Sequence, residues 1–221
     1  MCGRYYLADA RNMKERFNVK DVAEWLTSRY NIAPTQEVPA VIEDEGRRLV
    51  RFKWGLKPYW ARDRALGSGL INARAETVDV KPSFKESFKR RRCLLPASGF
   101  FEWKKAGKKK VPFRIGLSNW ELFAFAGLWS SWKTPEGETA ATCAIITTPA
   151  NALVARIHHR MPVILPREAE GLWLDPHTPD TDLLKELLKP YPEGQMAVHR
   201  VSSLVNSPGN DNPRLLEPVE N

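Results

Sequence analysis

The chain has 221 residues, 43% hydrophobic and 27% charged, which suits a globular protein with a substantial core, and it has no run of about 18 apolar residues that would mark a transmembrane helix. Its three cysteines (Cys2, Cys93, Cys143) are odd in number and far apart, and its four histidines include no HExxH, so a disulfide framework, a structural metal and metal catalysis are all disfavoured. A formal net charge of +8 and eight tryptophans suit a polyanion whose bases can stack, which describes single-stranded nucleic acid.

Near the N-terminus, "DARNMKERFN" (9–18) predicts a helix capped at Asp9, with Met13 and Phe17 on one face. A second short helix is expected over 21–29, carrying Val22, Trp25 and Leu26, and "YNIAPTQ" then places Pro34 in a loop. "VPAVIE" and "RLVRFKWGL" read as short strands. "CLLPASGFFEWKK" and "KVPFRIGL" flank a turn at Ala106-Gly107 and predict a long hairpin. "LFAFAGLW", "TCAIITT" and "MPVIL" read as buried strands. A late helix is expected to be capped by Thr178, with Pro179 at its first position and Leu183, Leu184, Leu187 and Leu188 on its apolar face. "AVHRVSS" adds a last strand. With strands dominant and no βαβ rhythm, the expectation is an α+β fold: one domain over 1–221, built on mostly antiparallel, barrel-like sheet with peripheral helices. The N-terminus lacks the apolar region of a signal peptide, so a cytoplasmic protein is expected.

Four segments carry polar residues with chemical potential. The chain opens "MCGRYY". If Met1 is removed, Cys2 becomes a 1,2-aminothiol, able to trap an aldehyde first through nitrogen and then through sulfur as a five-membered thiazolidine. With an α-amine pKa of about 7.7–8.0, about a tenth of the amine is nucleophilic at pH 7. In "LINARAET" (70–77), Asn72, Arg74 and Glu76 would alternate on one face of an extended segment, either gripping a phosphate or forming a routine exposed ion pair. In "GFFEWKK", Glu102 lies between Phe101 and Trp103. A carboxyl facing an apolar pocket there is suited to acid/base work, whereas alternation alone favours one facing water. In "ARIHHRMPVIL", adjacent His158 and His159 would point to opposite faces of a strand, so that one enters a site, with Arg160 a phosphate-binding candidate. The basic runs "KRRR" (89–92) and Lys104, Lys105, Lys108, Lys109 and Lys110 fit either a polyanion or a solvated surface.

"MCGR", "YNIAP", "WGL.P.W", "INAR.ET", "GFFEW", "IHHRMPVIL" and "LLEPV" occur in this order. Together they resemble the SRAP family, the SOS-response-associated peptidase domain regarded as an abasic-site processing protein. The resemblance covers essentially the whole chain. It implies that Cys2 forms a thiazolidine with the ring-opened aldehyde of an abasic deoxyribose in single-stranded DNA. It further implies Asn72 positioning the terminus and sugar, Glu102 as acid/base, and His158 protonating the sugar oxygen and assisting a lyase step. Arg4, Arg74 and Arg160 would hold phosphates, and Asn31, Pro34, Trp60 and Thr147 would line the DNA path. The peptidase activity would be removal of the residue before Cys2. No cofactor or metal is implied, and a monomer is expected, nucleoid-associated when bound to DNA.

Two positions depart from the family pattern. His159 stands where relatives commonly carry an acid, and Ala61 follows Trp60 where some members have a second tryptophan. Two other functions fit parts of the sequence. An N-terminal-nucleophile amidotransferase also begins Met-Cys-Gly and uses its own terminal amine as base. A non-enzymatic single-strand binder needs only the charge and aromatic content.

Overall fold

The computed structural model describes residues 2–61, 69–133, 137, 139–178 and 180–219. In chain order the elements begin with β1 (Tyr5–Leu7), α1 (Met13–Phe17), β2 (Arg29–Ile32), β3 (Glu37–Glu43), β4 (Arg47–Trp54) and β5 (Asn72–Arg74). There follow α2 (Lys85–Arg90), β6 (Arg92–Ala97), β7 (Gly99–Ala106), β8 (Lys109–Leu117), β9 (Phe123–Lys133) and β10 (Thr139–Pro149). The chain continues through α3 (Ala152–Ala155), β11 (Arg160–Pro162), β12 (Ile164–Leu165), α4 (Glu170–Leu174), α5 (Thr181–Glu186) and β13 (Met196–Arg200). Short 3-10 turns cover Ala75–Thr77, Ser203–Asn206 and Pro213–Leu216.

Pairings β10–β4, β4–β3, β3–β6, β6–β9 and β9–β10 return to their starting strand and close a barrel. Only the β10–β4 pairing is parallel among these five, so the barrel is mostly antiparallel, as expected for an α+β chain without βαβ units. β5 adds to β10 in parallel on its β4 side, while β11 adds antiparallel on its β9 side. A second sheet, β13-β8-β7-β1-β2, is antiparallel throughout and packs against the barrel.

Side-chain alternation explains that packing. Tyr5 and Phe100 face the main core, where Tyr5 meets Trp54 and Phe125 edge-on at 5.3 and 5.7 Å between ring centroids. Tyr6 and Phe101 face the opposite side and pack under Val201, Val205 and Leu215. Both faces of β1 and β7 are therefore covered, one by the barrel and one by the C-terminal turns. Gly99 is required at this crowded point, because a Cβ there would lie 2.3 Å from the Tyr6 hydroxyl oxygen.

Several expectations need correction. The first helix is shorter than 9–18: Met13 and Phe17 are buried as expected, but the N-cap position is Asn12 and Asp9 instead accepts from the Asn12 amide. No helix forms over 21–29; the segment is a turn and an extended lead into β2, with Val22 exposed and Trp25 stacked on the Arg51 guanidinium at 4.4 Å. The long hairpin forms as β7–β8 around Gly107, but its first arm divides near Ser98 into β6, in the barrel, and β7, in the second sheet. "MPVIL" also splits: β11 pairs with β10 and β12 with β9. The late helix is capped by Asp180, which accepts from the Asp182 and Leu183 N–H groups, while Thr178 bonds Asp175; Pro179 lies outside the described residues. Leu184 and Leu188 are buried there, but Leu183 is exposed. No helix among the described residues is long and apolar enough to cross a membrane.

Candidate active site

The β1–β7 register sets the site. Tyr5 pairs with Phe100, and the Phe101 N–H donates to the Arg4 carbonyl at 2.9 Å, so the segment before β1 runs back along Glu102. Glu102 is only 4% exposed, at the end of β7 where both faces are covered. The reading that set it toward water fails because Glu102 shares the Phe100 face of β7, which turns toward the main core and Cys2, while the C-terminal turns cover the opposite face under Phe101.

Cys2 is fully buried, and Asn72 of β5 donates from Nδ2 to its carbonyl at 2.9 Å. The Asn72 Oδ1 is buried with no hydrogen-bond partner among the described residues. Burial pushes the Cys2 thiol far above its ordinary value, and the negative charge of Glu102 adds to that rise. The resting sulfur is therefore a thiol, and a reaction through sulfur needs a base beside it.

His158 reaches the same place from the turn after α3. Asn151 caps α3 by accepting from the Val154 N–H at 2.9 Å, and the His158 N–H still bonds the Val154 carbonyl at 3.0 Å. The His158 Nδ1 lies 3.9 Å from Glu102 Oε1 and accepts from the Arg160 N–H at 3.1 Å. His159 does not point to the opposite face: the two rings stack 4.4 Å apart, because β11 begins only at Arg160. The His158 charge holds the exposed His159 imidazole below its ordinary value. A cavity of about 430 Å³ opens beside this group, lined by Glu102, Trp103, Lys105, Lys110, His158 and Asn206. The basic hairpin run had marked the two lysines, but nothing local in the sequence placed Asn206 beside them.

Candidate phosphate and DNA contacts divide by burial. Arg74 is exposed on β5, and Trp60 is 53% exposed on the loop after β4. Pro34 is half-buried in the turn between β2 and β3. Arg4 is half-buried and donates to Asn31 Oδ1 and the Val205 carbonyl, both at 2.8 Å, near the Trp103 ring.

Three candidates are turned inward. Asn31 is fully buried and donates from Nδ2 to the carbonyls of Val205, Ser207 and Asn210 at 3.3, 2.9 and 2.7 Å. It ties down the C-terminal loop. Thr147 is also fully buried and accepts from Arg160 at 3.2 Å. Arg160 is 7% exposed, forks onto the Glu76 carboxylate and donates to the Thr147 carbonyl at 2.5 Å. Its two terminal nitrogens serve protein acceptors and brace β11 against the β5 turn, while its buried Nε has no hydrogen-bond partner among the described residues. Glu76 itself sits in a 3-10 turn, not in line with Asn72 and Arg74 on a strand face. Among the described residues, no group of three or more His, Cys, Asp or Glu is arranged to hold a metal ion.

Known proteins match this chain along its length. The abasic site processing protein YoqW of Bacillus subtilis (strain 168) is 47% identical over 98% of this chain and 99% of its own. The abasic site processing protein HMCES of Gallus gallus is 31% identical over 100% of this chain and 78% of its own. A solved protein structure from Bacteroides thetaiotaomicron superimposes with a TM-score of 0.89 at 29% identity, covering 99% of this chain and 100% of that one. Residues 1–208, which include every position gathered around Cys2, match one family description, and the chain belongs to the SOS response associated peptidase (SRAP) family.

Proposed function

We propose that this protein processes abasic sites in single-stranded DNA by trapping the ring-opened sugar on Cys2 as a thiazolidine. One observation carries the reading: a buried Cys2, its carbonyl held by Asn72, lies within the field of a Glu102 carboxylate that is 3.9 Å from His158. That relatives bear the name abasic site processing protein supports it.

Hydrolysis of the Met1–Cys2 peptide bond, the self-processing peptidase step, consumes one water and frees the amine. The amine attacks the C1′ aldehyde, and the carbinolamine loses water to give an imine. The Cys2 sulfur then adds to the imine carbon while its proton passes to the nitrogen, closing the ring. Condensation releases one water and needs no oxidant or cofactor. Glu102 takes the thiol proton and returns it. His158 protonates the sugar oxygen as the ring opens, and the open acceptor of Asn72 receives an N–H of the amine or a sugar hydroxyl. From the imine, loss of the C2′ proton and departure of the 3′ phosphate is the lyase branch, which ring closure by sulfur shuts off. Arg74 and Arg4 supply phosphate contacts, and Trp60 a stacking surface.

The test mixes purified protein with an oligonucleotide whose single uracil has been excised, followed by a denaturing gel. A shifted band is expected with the wild-type protein and not with Cys2→Ala. A band that survives Cys2→Ala sinks the proposal, and ammonia release from glutamine would favour the amidotransferase reading instead.

A further inference from the structure

The cavity beside Glu102 holds more positive charge than the chemistry at Cys2 uses. Lys105 and Lys110 are directly opposed across the β7–β8 ladder, and both line the cavity. Like charges at such positions repel. Among the described residues neither lysine has a carboxylate within ion-pair distance. In the same lining, the Trp103 indole N–H donates to Asn206 Oδ1 at 2.7 Å. An indole nitrogen can only donate, so this bond fixes which way the amide faces and leaves its NH2 group as the remaining donor. The loop carrying Asn206 is itself held, through Asn31 and Arg4, by the segments around β1 and β2. Two cations and a fixed amide donor thus share one cavity with Glu102 and His158.

We propose that this cavity is a phosphate subsite for a backbone phosphodiester flanking the reacting sugar, neutralised by Lys105 and Lys110 and hydrogen-bonded by the Asn206 amide. Lys105 lies three residues along β7 from Glu102, about 10 Å in an extended strand, so it serves a neighbouring phosphate and not the reacting one. The anion removes the repulsion across the ladder, which gives this opposed pair a function that a solvated charge run lacks. The inference rests on the single-stranded DNA reading above.

The experiment measures equilibrium binding of an undamaged single-stranded oligonucleotide to Cys2→Ala protein as salt is raised, which keeps the covalent chemistry out of the measurement. Lys105→Gln/Lys110→Gln in that background is compared with Lys108→Gln/Lys109→Gln, which removes the same charge at the hairpin turn outside the cavity. If each cavity lysine neutralises one phosphate, the slope of log K against log salt falls by about 1.4 in the first pair. The second pair is expected to keep the parental slope. Both lysine pairs are exposed, and thermal midpoints matching the parent confirm that any loss is not unfolding. Equal falls in both pairs would mean a diffuse field and overturn the subsite, as would no fall in either. A parental protein with no salt-sensitive binding at all overturns the DNA reading itself, a distinct outcome from binding whose slope ignores Lys105 and Lys110.

Discussion

The Glu102 carboxylate lies 3.9 Å from Nδ1 of His158, and its charge is second only to burial in raising the Cys2 thiol. One carboxylate thus holds the nucleophile protonated and stands ready to take its proton. These roles pull in opposite directions when the charge is removed, which makes them separable.

Glu102→Gln removes the negative charge next to the sulfur, so the thiol ionises more readily and direct alkylation of Cys2 by iodoacetamide should speed up. Cross-linking to an abasic oligonucleotide should slow by about 100-fold, the lower range for losing a positioned acid/base. Peptide mass spectrometry assigns the alkylated cysteine. Slower alkylation together with slower cross-linking would indicate a collapsed site and not a lost base.

A pH prediction follows from Arg160 and Glu76. The hydrogen bonds from Arg160 hold the Glu76 carboxyl below its ordinary value. A depressed folded-state value stabilises the fold above the unfolded value of about 4.3 and is lost as pH falls through the folded one. Denaturant unfolding should therefore show Glu76→Gln less stable than wild type at pH 7, with the gap closing below about pH 4. Glu76 is half-exposed, so the neutral-pH difference should be small, within about 1 kcal/mol. A gap that stays constant across this range would assign the effect to packing.

The contrast between Glu76 and its neighbours shows what the sequence could and could not reveal. Cys2, Asn72, Glu102 and His158 were legible because each lies in a short motif whose residue types already imply the chemistry. Their convergence follows from strand pairing, and "GFFEW" needed only the β1–β7 register to bring Glu102 beside Cys2. The inward hydrogen bonds of Asn31, Thr147 and Arg160 were not legible, because a polar side chain in a motif does not show which protein groups it will meet. The partners of Asn31 lie 174 to 179 residues away along the chain. Segment 21–29 had helical spacing of its apolar residues, but the fold uses Trp25 as a cover over Arg51 and leaves Val22 in solvent. Tertiary contacts overrode a weak local preference there. Barrel closure was not legible either, since the parallel β10–β4 pairing joins strands far apart in sequence.

Asn31 gives a stability prediction. Asn31→Ala leaves the Ser207 and Asn210 carbonyls without this donor, and leaves Arg4 with the Val205 carbonyl but without its Asn31 acceptor. Losing a buried hydrogen-bond partner costs about 2 kcal/mol, or roughly 4–8 °C in midpoint for a chain of this size. Limited proteolysis should cut first within 203–210, because that loop loses its anchor. A midpoint within 1 °C or so of wild type, well short of that shift, would show that the loop is held by its apolar contacts with Tyr6 and Phe101 instead.

Trp60 tests the stacking surface apart from the chemistry. Its ring is 53% exposed and the next side chain is Ala61, which offers no second ring. One base stacked on one aromatic ring contributes roughly 1–3 kcal/mol, so Trp60→Ala should weaken single-strand binding by about 5- to 150-fold. The thermal midpoint should stay near the wild-type value, because an exposed side chain contributes little to the core. Saturating the variant with oligonucleotide should then restore most of the cross-linking rate, since Cys2, Asn72, Glu102 and His158 are untouched. A rate that stays low at saturation would mean that Trp60 orients the lesion at the sulfur as well as holding the strand.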